Sequence, residues 1–247
     1  MSADAVLYLV LGAFVGGFVN GLAGTGTALF ALGFYLVVLE PIQAVAIVSF
    51  MSVLVGLQGL WIVRKEMAAR PKRTLRFVIP GLFGVPLGLA LLDVVDTTTL
   101  RVAVASFLIV YGIYFGLRAS LPAFSKRTPW IDSGVGFVGG ILGGTAAVSG
   151  AIPQMWLSIR PWPKAETRAV LQPFNGAILS TTIFLLFLQG AYNNTVLQAM
   201  LITIPVGLVA AQVGIFVFKR LSDAGFRRLL IFLSFLMGVG VIVSEVF

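Results

Sequence analysis

The sequence predicts an all-α polytopic membrane protein of two inverted repeats, each a broken-helix hairpin followed by three transmembrane helices. Three observations predict it. Of the 247 residues 59% are hydrophobic and only 11% charged, whereas soluble domains carry about 25% charged residues. Apolar runs near the span length of about 20 residues recur along the whole chain. The charges between those runs alternate, with basic loops separated by neutral or acidic ones. One membrane domain, 1–247, is expected, divided into repeat one (1–117), a basic linker (118–131) and repeat two (132–247).

The first segment, 5–39, is too long for one span and is interrupted near its middle by NGLAGTGTALFALG. Asp4 is the only charge ahead of it and no basic n-region precedes it, so it reads as a membrane segment and not as a cleaved leader. Single spans are expected at 42–63, 77–92 and 99–117. The second over-long segment, 132–159, is interrupted by GGILGGTAAVSGAIP and is followed by single spans at 169–189, 195–218 and 227–246.

Orientation follows from Lys and Arg, which short loops retain on the cytoplasmic side. The basic loops hold Arg64, Lys65, Arg70, Lys72, Arg73 and Arg76; Arg118, Lys126 and Arg127; Arg160, Lys164 and Arg168; and Lys219, Arg220, Arg227 and Arg228. Glu40, Asp93 and Asp96 (with Arg101 close by), the uncharged 191–194 and Glu245 belong outside. Segment 132–159 lies between two basic loops, so it enters from and returns to the cytoplasm as a hairpin. Segment 5–39 is then the matching hairpin from the other side, and both termini are expected outside. Every matched loop changes side between the halves, which is the inverted-repeat plan of many secondary transporters. Pro80 in VIPGLFG and Pro205 in ITIPVG fall at matching places and are candidate gating positions. Trp61, Trp130, Trp156 and Trp162 lie near span ends and read as interfacial anchors.

The composition also removes function classes. With no Cys and no His, disulfides, Cys/His metal sites and histidine acid–base catalysis are unavailable. No metal, no cofactor and no enzyme activity is expected. The net charge of +8 sits in short loops beside spans, so it predicts topology and no nucleic-acid partner.

The two interruptions are where a solute could sit. Glycine weakens helix continuity, and Thr25, Thr27, Thr145 and Ser149 are candidate N-caps for the returning half-helices. Two helix N-termini near mid-bilayer would present unpaired N–H groups and partial positive charge, which bind an anion without a formal cation. No Arg or Lys falls in the expected mid-membrane zone. The candidate binding residues are Asn20, Gly24, Thr25, Gly26, Thr27, Gln58, Thr145, Ser149, Gly150, Gln172 and Asn175. Other polar residues inside spans, Ser49, Ser52, Gln154, Ser180, Thr181, Thr182 and Gln212, suit helix–helix hydrogen bonds equally. Glycines flanking the breaks suit close helix packing. Arg168 reads as a topology or headgroup residue, with guarding the cytoplasmic entrance as its functional alternative. The expected partners are a small anion and the lipid bilayer, with a homodimer as the candidate assembly and the coupling ion open. A channel, or a carrier of another solute, would share the helices. An intramembrane enzyme is the contrasting class, and it would need a nucleophile–base pair that this composition does not offer.

The stretch GGFVNGLAGTGTALFALG followed by LEP, and GFVGGILGGTAAVSG followed by RPWPKAETRAVLQPFN, resemble the TauE/SafE sulfite exporter family, also called the toluene sulfonate uptake permease family. The resemblance spans nearly the whole chain. It implies a bacterial plasma-membrane transporter of sulfite, of sulfonates such as sulfoacetate, or of related organic anions, most often an exporter. The family's glycine-rich motif falls on Gly21, Gly24 and Gly26, and its second copy on Gly143, Gly144, Ser149 and Gly150. The RAVxQPFN element falls on Arg168, Gln172, Pro173 and Asn175. The chain departs from the pattern at TGT (25–27) and at Ala147, where relatives often carry glycine.

Overall fold

The computed structural model describes residues 3–91, 97–117 and 124–246; Asp93, Asp96 and Arg118 lie outside them. Among the described residues the chain forms eleven α-helices and no strand. They are α1 (Ala3–Ala23), α2 (Thr27–Tyr35), α3 (Pro41–Ile62), α4 (Arg64–Ala69), α5 (Pro71–Leu91), α6 (Thr97–Gly116), α7 (Pro129–Ala146), α8 (Ala151–Ser158), α9 (Lys164–Leu188), α10 (Asn194–Arg220) and α11 (Asp223–Val246). Each expected single span falls on one helix: α3, α5, α6, α9, α10 and α11. Each over-long segment is divided, at 24–26 and at 147–150.

Helix ends follow local chemistry. Glu40 and Gln43 form a reciprocal capping box across the first turn of α3, with Pro41 between them, and the Asn193 side chain accepts from Val196 N–H at the start of α10, so orphan N–H groups are satisfied. The boundaries differ most from the sequence reading at three places. Residues 64–69, read as loop, form α4, and α5 and α9 begin at 71 and 164, well before their apolar runs. Hydropathy marks where lipid begins, whereas Lys, Arg, Glu and Ala continue a helix into water.

Among the described residues four helices, α1, α3, α9 and α10, are long and apolar enough to cross a membrane by length and composition. The distribution of side chains agrees with a lipid solvent. Large apolar groups lie outside, such as Leu201 (77% exposed) and Phe83 (70%), while Asn20 (1%) and Arg168 (0%) lie inside. Both features are those of a chain solvated by lipid.

Glycine decides which helices touch. Cβ atoms at Gly17 and Gly21 would collide with the backbone of Gly207 and Ala211, so α1 lies directly on α10. Gly136 and Gly140 likewise meet the backbone of Phe77 and Gly81, joining α7 to α5. Without an apolar driving force between helices in lipid, such close backbone approach is what packs them. The flanking glycines thus pack, Gly21 and Gly144 of the family motif included. The first helix pair of each part of the chain packs against a long helix of the other part, α3 and α9 meet at the centre, and α6 meets α11. Within each pair the shorter helix turns back: Gly12 faces Tyr35 and Gly16 faces Ala31, while Gly139 faces Pro153 and Gly143 faces Ser149.

The basic segments meet at one end of the bundle. Glu166 accepts from Arg70 at 2.7 Å and from Arg73 at 2.6 Å. Lys164 Nζ donates to Phe218 O (2.9 Å) and Lys219 O (3.1 Å), and Arg227 Nε donates to Ser158 O (2.9 Å). Arg160 is buried and pairs with Asp132 at 3.0 Å, whose carboxylate also accepts from Trp156 Nε1 at 2.8 Å. The four tryptophans differ in their surroundings. Trp61 and Trp130 are exposed, but Trp156 is tied to Asp132 and Trp162 lies under Arg73, 3.9 Å from the guanidinium carbon. Both rings are half-buried beneath a cation, Trp156 under Arg160 and Trp162 under Arg73, a favourable contact.

Candidate functional site

The two helix breaks are built by backbone more than by caps. Gly24 and Gly26 adopt φ of 86° and 98°, a left-handed conformation that glycine enters without a Cβ clash. Gly26 precedes α2 and Gly150 precedes α8, and neither helix has a side-chain cap. This corrects the expectation that Thr25, Thr27, Thr145 and Ser149 serve as N-caps. Thr27 already belongs to α2, and Thr145 lies within α7, bonded to Leu142 O of its own helix at 3.2 Å. Thr25 and Ser149 donate elsewhere. The first N–H groups of α2 and α8 have no partner within their helices.

Between the breaks the structure gathers a buried hydrogen-bonded network. Asn20 Nδ2 donates to Thr27 Oγ1 (2.7 Å), Ser52 Oγ (3.1 Å) and Ser52 O (3.2 Å). Asn175 Nδ2 reaches the same Ser52 Oγ at 3.1 Å. Asn175 Oδ1 accepts from Ser149 Oγ at 2.7 Å and from Thr25 Oγ1 at 3.4 Å, so one amide touches both breaks. Gln172 Nε2 donates to Asn20 Oδ1 at 3.3 Å, and Arg168 Nε donates to Gln172 Oε1 at 3.2 Å. With both lone pairs of Ser52 Oγ occupied, its own O–H is left to donate.

The glycines at the breaks clear this space. A Cβ on Gly150 would overlap Thr25 Oγ1, and one on Gly24 would stand 2.8 Å from Gln172 Oε1. Pro173 lies inside α9 between Gln172 and Asn175. Lacking an N–H, it frees Ala169 O, which accepts from Thr74 Oγ1 at 3.1 Å instead. α9 therefore stays continuous through the site with its polar backbone satisfied.

Of the sequence candidates, Asn20, Thr25, Thr27, Ser149, Gln172 and Asn175 are joined in this network, with Gly24 and Gly150 lining it and Gly26 at the first break. Gln58 is not: it accepts from Gln212 on an exposed flank at 2.8 Å. Thr145, Pro80 and Pro205 also lie apart, the two prolines inside α5 and α10. Arg168 is fully buried, which corrects its reading as a headgroup residue and the expectation that no cation reaches the site. That reading followed the basic loop, but α9 begins before it and carries Arg168 inward. Ser52 was missed as a site residue. Its signal was the face formed by Ser49, Ser52, Gly56 and Gly59 on α3, at helical spacing.

The profile of the family described as Sulfite exporter TauE/SafE matches residues 9–241, which contain both breaks and the whole network. This chain belongs to that family. TauE/SafE proteins are membrane transporters, and membership makes this chain a member of a sulfite and anion exporter family. No curated protein and no solved structure matches the chain.

Proposed function

We propose that this TauE/SafE protein exports a small sulfur-containing anion, sulfite or an organosulfonate such as sulfoacetate, across the bacterial inner membrane by alternating access around the two helix breaks. One observation carries the proposal: Thr25 from the first break and Ser149 from the second donate to the same Asn175 amide inside a buried network. Uncharged amide and hydroxyl donors, with two uncapped helix N-termini, suit the oxygens of an oxyanion. Ser52 and Asn175 lie near the midpoints of α3 and α9, both of span length, which supports a site at mid-bilayer.

The exchange of partners between the two parts, α1 on α10 and α7 on α5, supports two inverted repeats, 1–117 and 132–247, joined by the basic linker 118–131. α1 with α2, and α7 with α8, are then re-entrant hairpins from opposite sides. The basic end of the bundle faces the cytoplasm by the positive-inside rule, and both termini lie outside.

Flux from liposomes tests the reading with sulfite, sulfoacetate and malonate as the matched dicarboxylate. Saturable flux of the sulfur anions well above malonate is expected. Equal flux of all three, or none, would remove the sulfur specificity or the transport role respectively.

A further inference from the structure

Among the described residues nothing neutralises the Arg168 guanidinium. The side chain is 0% exposed, its Nε is engaged by Gln172, and neither Nη1 nor Nη2 finds an acceptor among the described residues. Two carboxylates at this end of the bundle pair with other arginines, Glu166 with Arg70 and Arg73 and Asp132 with Arg160. The guanidinium carbon lies 4.5 Å from the centre of the Phe218 ring, a contact that leaves the in-plane N–H groups unused. A buried, unpaired ion carries a large desolvation penalty. Joining α9 to α10 does not require it, because Lys164 already ties α9 to the α10 carbonyls of Phe218 and Lys219.

We infer that Arg168 is the charge partner of the transported oxyanion, its Nη1 and Nη2 donating side by side to two oxygens of one sulfite or sulfonate group. This rests on the network being the transport site, to which Arg168 is joined through Gln172. Glycines keep the guanidinium's flank clear: a Cβ on Gly59 would stand 2.7 Å from Nη2 and press on Gln172 Oε1, and one on Gly24 would lie 3.3 Å from Arg168 Cγ. The planar fork of Arg matches a pair of oxyanion oxygens, which a lysine ammonium cannot do. Pairing also cancels the charge of a monoanion while it is away from water.

The test titrates methanesulfonate and its neutral isostere dimethyl sulfone into the full-length protein by calorimetry, for wild type, R168Q and R168K. Wild type is expected to prefer the anion. R168Q is expected to lose roughly thirty-fold or more in affinity for methanesulfonate, as truncated charge pairs do, and to bind the two probes alike. R168K keeps the charge but not the fork, so a loss of about tenfold is expected. Wild-type affinity and selectivity in either variant would overturn the inference, and R168K decides it if R168Q does not fold. Acetate separates the two claims: Arg168-dependent binding of acetate but not methanesulfonate would sink the sulfur cargo and keep the Arg168 role. Sulfite flux unchanged in R168Q would do the reverse.

Discussion

Asn175 is the residue on which both helix breaks depend, because Thr25 and Ser149 share its carbonyl oxygen and Ser52 takes its amide. Asn175→Leu leaves those hydroxyls without their buried partner, at a cost of about 1–3 kcal/mol. A lower unfolding temperature and lost flux are expected together. Gly150→Val places side-chain atoms where Thr25 Oγ1 stands. Transport should cease while membrane insertion, read by fractionation, persists; normal flux would remove the site from the breaks. Ala147 closes α7 with φ of 57°, a conformation costing roughly 1–2 kcal/mol for a residue with a Cβ. Its N–H still reaches Gly143 O at 3.1 Å. Ala147→Gly should therefore raise stability slightly, offset in part by the freer unfolded chain, which thermal unfolding would detect.

The ties at the basic end hold helices from distant parts of the sequence. Glu166 on α9 binds Arg70, just before α5, and Arg73 within it. Because these side chains are partly exposed, each pair contributes only about 0–1 kcal/mol. Glu166→Gln should thus hardly change unfolding. If α5 and α9 separate during transport, the same change should alter the flux rate, and an unaltered rate would make the pairs purely structural. Close helix contacts behave differently. A Cβ on Gly140 would press into Gly81, so Gly140→Val should part α7 from α5 and destabilise by about 1–3 kcal/mol or more.

For the whole molecule, orientation and energetics are linked. The chain has no cysteine, so single cysteines placed at Asn194 and Ser222, both exposed and at opposite ends of α10, report topology without background. A membrane-impermeant maleimide should label N194C in intact cells and S222C only after permeabilisation; the opposite pattern would invert the proposed orientation. Export of one negative charge from an inside-negative cell gains about 2.3 kcal/mol per 100 mV. If a monoanion moves alone, outward flux should rise steeply with that potential, whereas a flat response would mean that a cation moves with it.

Much of this was legible in the chain because lipid is a demanding solvent. Runs of span length, the basic loops and the two glycine-rich interruptions located every long helix and both breaks, since each depends on local composition. Asn20, Thr25, Ser149, Gln172 and Asn175 were readable as rare polar residues inside apolar segments. Their partners were not. Ser52 resembled any hydroxyl bonding across helices until α3 met α9, and Gln58 resembled a site residue until its helix face turned it away. Arg168 was the largest misreading. Sequence counts a cation near a span end as loop charge, whereas helical extension, the glycines at 24 and 59 and the Phe218 face together enclose it. Composition and periodicity determine which segments enter the membrane. Only tertiary packing decides which polar groups face one another there, because that depends on helix rotation and on contacts between residues far apart in the chain.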